Sequence, residues 1–270
     1  MAFDLAKLWD FNKPEVSEQR FREALAEASP NEALILQTQI ARTYGLRQDF
    51  ARAREILAAV EPQLESASGE VKTRYFLELG RTYASPAHSP ESQTSEGREK
   101  ARSAYLLAFG LARTTELDTL AIDALHMMVA ADPDPEDQIK WNKAALGYME
   151  TSNQPEARQW EGSLRNNLGY ALHLQGNYDE ALEQFELALA ACERSGKRPN
   201  ILIAYWMIAW TLRALGRLQE ALEIQLRLER DWAELGEPDP YVFEELEHLY
   251  RALGDEAKAT FYAQRRQDPR

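Results

Sequence analysis

The 270 residues carry 31 Lys and Arg against 44 Asp and Glu, a formal net charge of -13. A chain of that sign is repelled by a phosphate backbone, so nucleic-acid binding is excluded as its main task, although a local basic patch is compatible with it. The single cysteine, Cys192, excludes an internal disulfide framework and fits a reducing compartment.

Alanine, leucine, glutamate and arginine dominate. Glycine and proline fall mostly between helical stretches, and no run of alternating β-branched residues appears, so the chain is expected to be all-α. The N-terminus, MAFDLAKLWDFNKPE, lacks the basic segment and uninterrupted apolar core of a signal peptide. The longest apolar run, residues 201–212, is about twelve residues, too short to span a bilayer. A cytoplasmic protein without a membrane partner is expected.

Residues 1–13 carry Phe3, Leu5, Leu8, Trp9 and Phe11 without clean periodicity. Two readings stand: an arm packed on the first helices, or an arm that docks into a partner or second subunit. Residues 15–28 read as an amphipathic helix, with Phe21, Ala24, Leu25 and Ala28 on one face. It would cap the helices from residue 34 onward, and Pro30 would end it.

The chain then repeats one pattern, which shows most fully at 166–189. Leu168, Gly169 and Leu172 share one face of a short helix, and Ala181, Phe185 and Ala188 share one face of the next. Gly176 suits a left-handed helix end. Asn177 and Glu180 would form a capping box. Five other segments can be laid on the pattern. The first is Gln37-x2-Ile40-Ala41-x2-Tyr44, then Ala53-x3-Leu57. The second is Phe76-x2-Leu79-Gly80-x2-Tyr83, then Ala101-x3-Tyr105; its helices are separated by SPAHSPESQTSEG, which reads as a flexible surface loop. The third, 117–150, fits worst; Asp132 or Asp134 would cap its second helix. The fifth is Tyr205-x2-Ile208-Ala209-x2-Leu212, then Ala221-x3-Gln225. The sixth is Phe243-x2-Leu246-Glu247-x2-Tyr250, then Ala259, with Asp239-Pro240 at its start; Glu247 replaces the small residue and would loosen that hairpin.

Arg165-x2-Leu168-Gly169-x2-Leu172, then Ala181-x3-Phe185, resembles the tetratricopeptide repeat, W-x2-L-G-x2-Y, then A-x3-F, then P, without its tryptophan and proline. The resemblance implies a right-handed α-solenoid of about six helix-turn-helix repeats. Residues 1–33 would be an arm and capping helix, and 34–270 one superhelical unit. Ala181, Ala221 and Ala259 are spaced 40 and 38 apart, against about 34 in the consensus, so longer second helices or longer turns are expected.

Catalysis is not expected. There is no G-x-G-x-x-G, P-loop, G-x-S-x-G, H-E-x-x-H or paired C-x-x-C. His88, His126, His173 and His248 are scattered, with no two spaced to share a metal on one helical face. No cofactor or metal is expected.

In arrays similar to this one, ligands meet a stripe on the first helices, which line a concave groove. That resemblance carries Arg42, Arg81, Asn166, Tyr170, His173, Trp206, Trp210, Arg213, His248 and Arg251 onto the groove, with Ile35, Thr38, Arg74, Leu77, Ile203 and Tyr241 beside them. The aromatic residues would seat apolar anchors, and the guanidinium forks would receive acidic groups. Two alternatives stand beside this: Trp206 and Trp210 as core, and the arginines as partners of neighbouring glutamates. One variant of the fold clamps a C-terminal carboxylate; Asn167 matches it, but Ile203 and Met207 stand where its basic residues belong. The resemblance thus implies a non-catalytic scaffold for a peptide or protein segment, or alternatively a peptide- or metabolite-sensing regulator using the same groove.

Overall fold

The computed structural model describes residues 4–267; Phe3 of the arm lies outside them. The described residues form fourteen α-helices: α1 Leu5–Leu8, α2 Pro14–Ala24, α3 Pro30–Leu46, α4 Phe50–Val60, α5 Gly69–Arg81, α6 Ser95–Thr114, α7 Asp118–Ala131, α8 Pro135–Thr151, α9 Glu161–Leu174, α10 Tyr178–Ser195, α11 Arg198–Ala214, α12 Leu218–Glu234, α13 Pro240–Ala252 and α14 Glu256–Gln267. The all-α reading holds: consecutive helices pack as hairpins in a solenoid. The chain divides into two compact units, one up to Ala157 and one from Arg158.

In unit 1, α2 covers α3, and the hairpins α3–α4, α5–α6 and α7–α8 come next, with first helices α3, α5 and α7 in succession. The cap is shorter than the 15–28 expected, because a 3-10 turn at Leu25–Glu27 ends it. Ser29 and Glu32 then form a capping box, with Pro30 at the first position of α3. In unit 2 the hairpins are α9–α10, α11–α12 and α13–α14, with first helices α9, α11 and α13. The longer repeat spacing goes into the second helices: α10 has 18 residues and α12 has 17.

Two hairpins, α5–α6 and α9–α10, close where a glycine faces a ring. A Cβ on Gly169 would stand 2.7 Å from the Phe185 ring, and one on Gly80 would stand 2.5 Å from the Tyr105 ring. Both rings are fully buried. The Tyr105 hydroxyl, carried inward, donates to Ala84 O at 2.5 Å.

Four local expectations need correction. Asn177 begins α10 and Gly176 turns left-handed (φ +79), but the Asn177 side chain makes no cap hydrogen bond. Its amide donates to Gln175 Oε1 at 3.4 Å instead. Asp134, followed by Pro135, starts α8 without a side-chain cap, while Asp132 binds Arg102 and accepts from Trp141 Nε1 at 2.8 Å. The tract after α5 is a surface loop that is pinned at its start rather than free throughout. His88 stacks on Phe50 at 3.8 Å, its Nε2–H donates to Thr82 O at 3.2 Å, and its Nδ1 accepts from Ser85. Finally, Glu247 does not loosen α13–α14: it is buried, and the repeat register sets Ala263 where Phe185 stands in the α9–α10 hairpin.

Gly169→Ala is expected to cost about 1–3 kcal/mol, because the buried ring must move. Gly169→Ala/Phe185→Leu should recover part of that loss. Urea unfolding of the three proteins checks this; an unchanged midpoint in Gly169→Ala would contradict the register.

Candidate functional site

The first-helix face of unit 2 is a run of rings. Tyr170 (α9) lies against Trp210 (α11), centroids 5.8 Å apart and planes 22° apart. Trp210 lies against Trp206 one turn earlier with the same values, and Trp206 meets the edge of Tyr241 (α13) at 6.4 Å. The helical spacing of four places both tryptophans on one stripe of α11. Tyr170 and Tyr241 are exposed, Tyr241 by 66%, and Ile203 is exposed beside them. Trp206 and Trp210 are partly exposed. The Trp206 Nε1–H and Asn166 Oδ1 have no hydrogen-bond partner.

His173 lies beneath this run. It is buried, stacked on Trp210 at 3.3 Å, with the Tyr178 edge at 4.9 Å. The Thr211 hydroxyl donates to Met207 O at 3.0 Å. Thr211 Oγ1 therefore accepts from His173 Nδ1 at 3.0 Å, which assigns the Nδ1–H tautomer. Burial, with Arg213 adding repulsion, pushes the imidazole pKa down to about 4.

The cations expected on this face are neutralised within it. Arg213 makes a two-pronged pair with the buried Glu245, at 2.7 and 2.8 Å. Arg251 pairs with Glu247 at 2.9 Å. His248 Nδ1 is 3.7 Å from Glu245 Oε1, without a hydrogen bond. In unit 1, Arg81 pairs with Glu78 and Asp123 at 2.6 Å each, and Arg74 pairs with Glu70 at 2.9 Å. Arg42 is 3.8 Å from Glu78. Ile35, Thr38 and Leu77 are buried. Structure thus brings Tyr170, Trp206 and Trp210 together with Tyr241, and sets His173 under them. Sequence reasoning missed Asp123, Glu245 and the pairing of Thr211 with His173; these lie 32–42 residues from their partners, beyond any local periodicity.

Among the described residues no group of three His, Cys, Asp or Glu is placed to hold a metal ion, and no helix is long and apolar enough to cross a membrane.

The tetratricopeptide repeat family model matches residues 160–230, the α9–α12 hairpins just described. The chain carries tetratricopeptide repeats there, and its fold is that of such repeat proteins. No curated protein matches the sequence significantly. Among solved structures, the apo form of RapI is similar over 97% of this chain and 75% of its own, with TM-score 0.71 and 14% identity. A signal transduction ATPase with numerous domains from Pyrococcus horikoshii, with a tetratricopeptide repeat sensor, is similar over 94% of this chain and 38% of its own, with TM-score 0.72 and 13% identity. A Rap protein complexed with Competence and Sporulation Factor is similar over 93% and 79%, with TM-score 0.57 and 13% identity. At these identities the likeness is one of fold.

The site's electrostatics give two expected outcomes. With a folded pKa of about 4 against about 6.5 unfolded, the unfolded state gains the His173 proton first as pH falls. Stability should therefore drop between about pH 6.5 and 4, by roughly 3 kcal/mol from this group. His173→Gln should flatten that part of the pH–stability curve, as urea unfolding across the range would measure. Glu245→Ala should cost about 3 kcal/mol by stranding Arg213, and Arg213→Leu/Glu245→Leu should cost less; thermal unfolding ranks the two.

Proposed function

We propose that the protein is a non-catalytic interaction scaffold that holds a peptide or protein segment against the ring-lined face of α9, α11 and α13. The observation that carries this reading is the unbroken run Tyr170–Trp210–Trp206–Tyr241 across three successive first helices. Tryptophan and tyrosine supply large contact area at small entropic cost, and they dominate interface energetics. The run presents ring faces and edges at intervals of about 6 Å. That spacing suits successive apolar or aromatic side chains of a bound segment. The unpartnered Trp206 N–H and Asn166 carbonyl lie on the helices that carry the rings.

The chemistry of the anchor narrows. Arg213 and Arg251 are held by Glu245 and Glu247, so acidic groups find little free charge on this face and apolar contacts set the affinity. The scaffold acts in the cytoplasm without a cofactor. The Rap protein's complex with Competence and Sporulation Factor supports a peptide ligand for a solenoid of this kind. The Pyrococcus protein's repeat sensor favours a second reading, a regulator that senses a peptide or metabolite on the same face.

A pull-down from the source organism's lysate, read by mass spectrometry, tests the scaffold reading. The bait is wild type or Trp206→Ala/Trp210→Ala with its helicity checked by circular dichroism. A partner captured by wild type should be lost from the variant, since two central aromatic anchors contribute about 2 kcal/mol or more each. Equal capture by both baits would contradict the assignment of this face.

A further inference from the structure

The first-helix face of unit 1 carries charge where that of unit 2 carries rings. Arg81 of α5 donates to Glu78 and to Asp123 of α7, at 2.6 Å each. Arg42 of α3 is left with a share of the same carboxylate. Its nearest acidic oxygen is Glu78 Oε1, 3.8 Å away, and that oxygen is the one Arg81 holds. The Arg42 Nε–H and the second Glu78 oxygen, Oε2, have no hydrogen-bond partner, and the Glu78 side chain is 3% exposed. Two arginines thus lean on one oxygen, and Arg42 has the weaker hold. Desolvation, with Arg81 nearby, lowers the Arg42 pKa.

The arm's rings lie against Arg42. Trp9 and Phe11 stack with their centroids 4.5 Å apart and planes 2° apart. The Arg42 guanidinium carbon lies 5.5 Å from one centroid and 5.3 Å from the other. Leu5, Leu8 and Trp9 pack on the Phe21, Leu36 and Ile40 cluster, and Trp9 Nε1–H donates to Gln39 Oε1 at 3.1 Å. Phe11, a large apolar ring, is 56% exposed. A ring face attracts a cation but makes no hydrogen bond to Nε, whereas a carboxylate does both jobs of charge and acceptor.

We propose that Arg42 is the centre of a second ligand site, for a peptide segment bearing a carboxylate beside an aromatic residue, and that Trp9 and Phe11 occupy it in the free protein. The arm has the composition of such a segment, Leu8-Trp9-Asp10-Phe11. Its own carboxylate is engaged elsewhere: Asp10 Oδ1 accepts from Asn12 N at 3.1 Å, and the Asp10 backbone is tied to the Ser17 hydroxyl. The arm therefore supplies the rings without the acid. A ligand that brings both makes the pair to Arg42 that the arm leaves unmade, and it must outcompete a tethered segment of high effective concentration.

The test uses the full chain and two fluorescein-labelled peptides, Leu-Trp-Glu-Phe-Glu and its twin with glutamines. Anisotropy titrations compare wild type, Phe11→Ser and Trp9→Ser/Phe11→Ser. The arm variants are expected to bind the glutamate peptide at least tenfold more tightly than wild type does. Arg42→Gln in the same background is expected to abolish the preference for glutamate over glutamine. Equal binding by wild type and the arm variants, or a glutamate preference that survives Arg42→Gln, overturns the proposal. Absence of binding by an arm variant with wild-type helicity overturns it as well. Phe11→Ser leaves Trp9 in its packed position and reads the same competition if the double variant fails to fold.

Discussion

A ring seated against bare backbone closes one hairpin in each unit, α5–α6 and α9–α10. Phe185 rests where a Cβ on Gly169 would stand, and Tyr105 does the same to Gly80. Interiors are packed to crystal density, so one methyl on the small side must be offset on the large side. In three other hairpins the repeat register sets Ala41 opposite Leu57, Ala209 opposite Gln225 and Glu247 opposite Ala263. Close approach on this side leaves the neighbouring stripe of each first helix, one residue further on, for other work.

That stripe is used differently in the two units. In unit 2 it carries stacked aromatic rings whose basic neighbours are neutralised by Glu245 and Glu247. In unit 1 it carries a ladder of opposite charges, Arg42, Glu78, Arg81 and Asp123, in which the cation at one end is covered by the arm. Ring contacts are short-ranged and little affected by salt; buried ion pairs need complete partners to be worth their desolvation. One stripe is therefore suited to apolar anchors. The other leaves Arg42 with the weaker share of the Glu78 carboxylate.

The hairpins were legible because their information is local. Leu168, Gly169 and Leu172 fall on one helical face, Ala181 and Phe185 on the next, and Gly176 punctuates them; all lie within one repeat. Asp239-Pro240 was legible for the same reason, and Asp239 does cap α13 through Tyr241 N at 2.9 Å. What stayed hidden depends on neighbours in other repeats. Arg213 meets Glu245 across 32 residues and Arg81 meets Asp123 across 42, so their neutralisation could not be read from either helix alone. His173 sits one turn beyond Tyr170 on the same helix, and Trp210 and Thr211 from α11 cover it together with the Tyr178 edge. His88 was unreadable because its partner, Phe50, belongs to the preceding hairpin.

Recognition of peptide side chains by the ring-lined face of unit 2 is the central claim. Selection of a random twelve-residue peptide library on the full-length protein addresses it directly. Enriched peptides should share apolar or aromatic anchors, bind the wild type saturably, and lose most of their affinity for Trp206→Ala/Trp210→Ala. Enriched peptides that bind both proteins equally, or a library from which nothing is enriched, would contradict it.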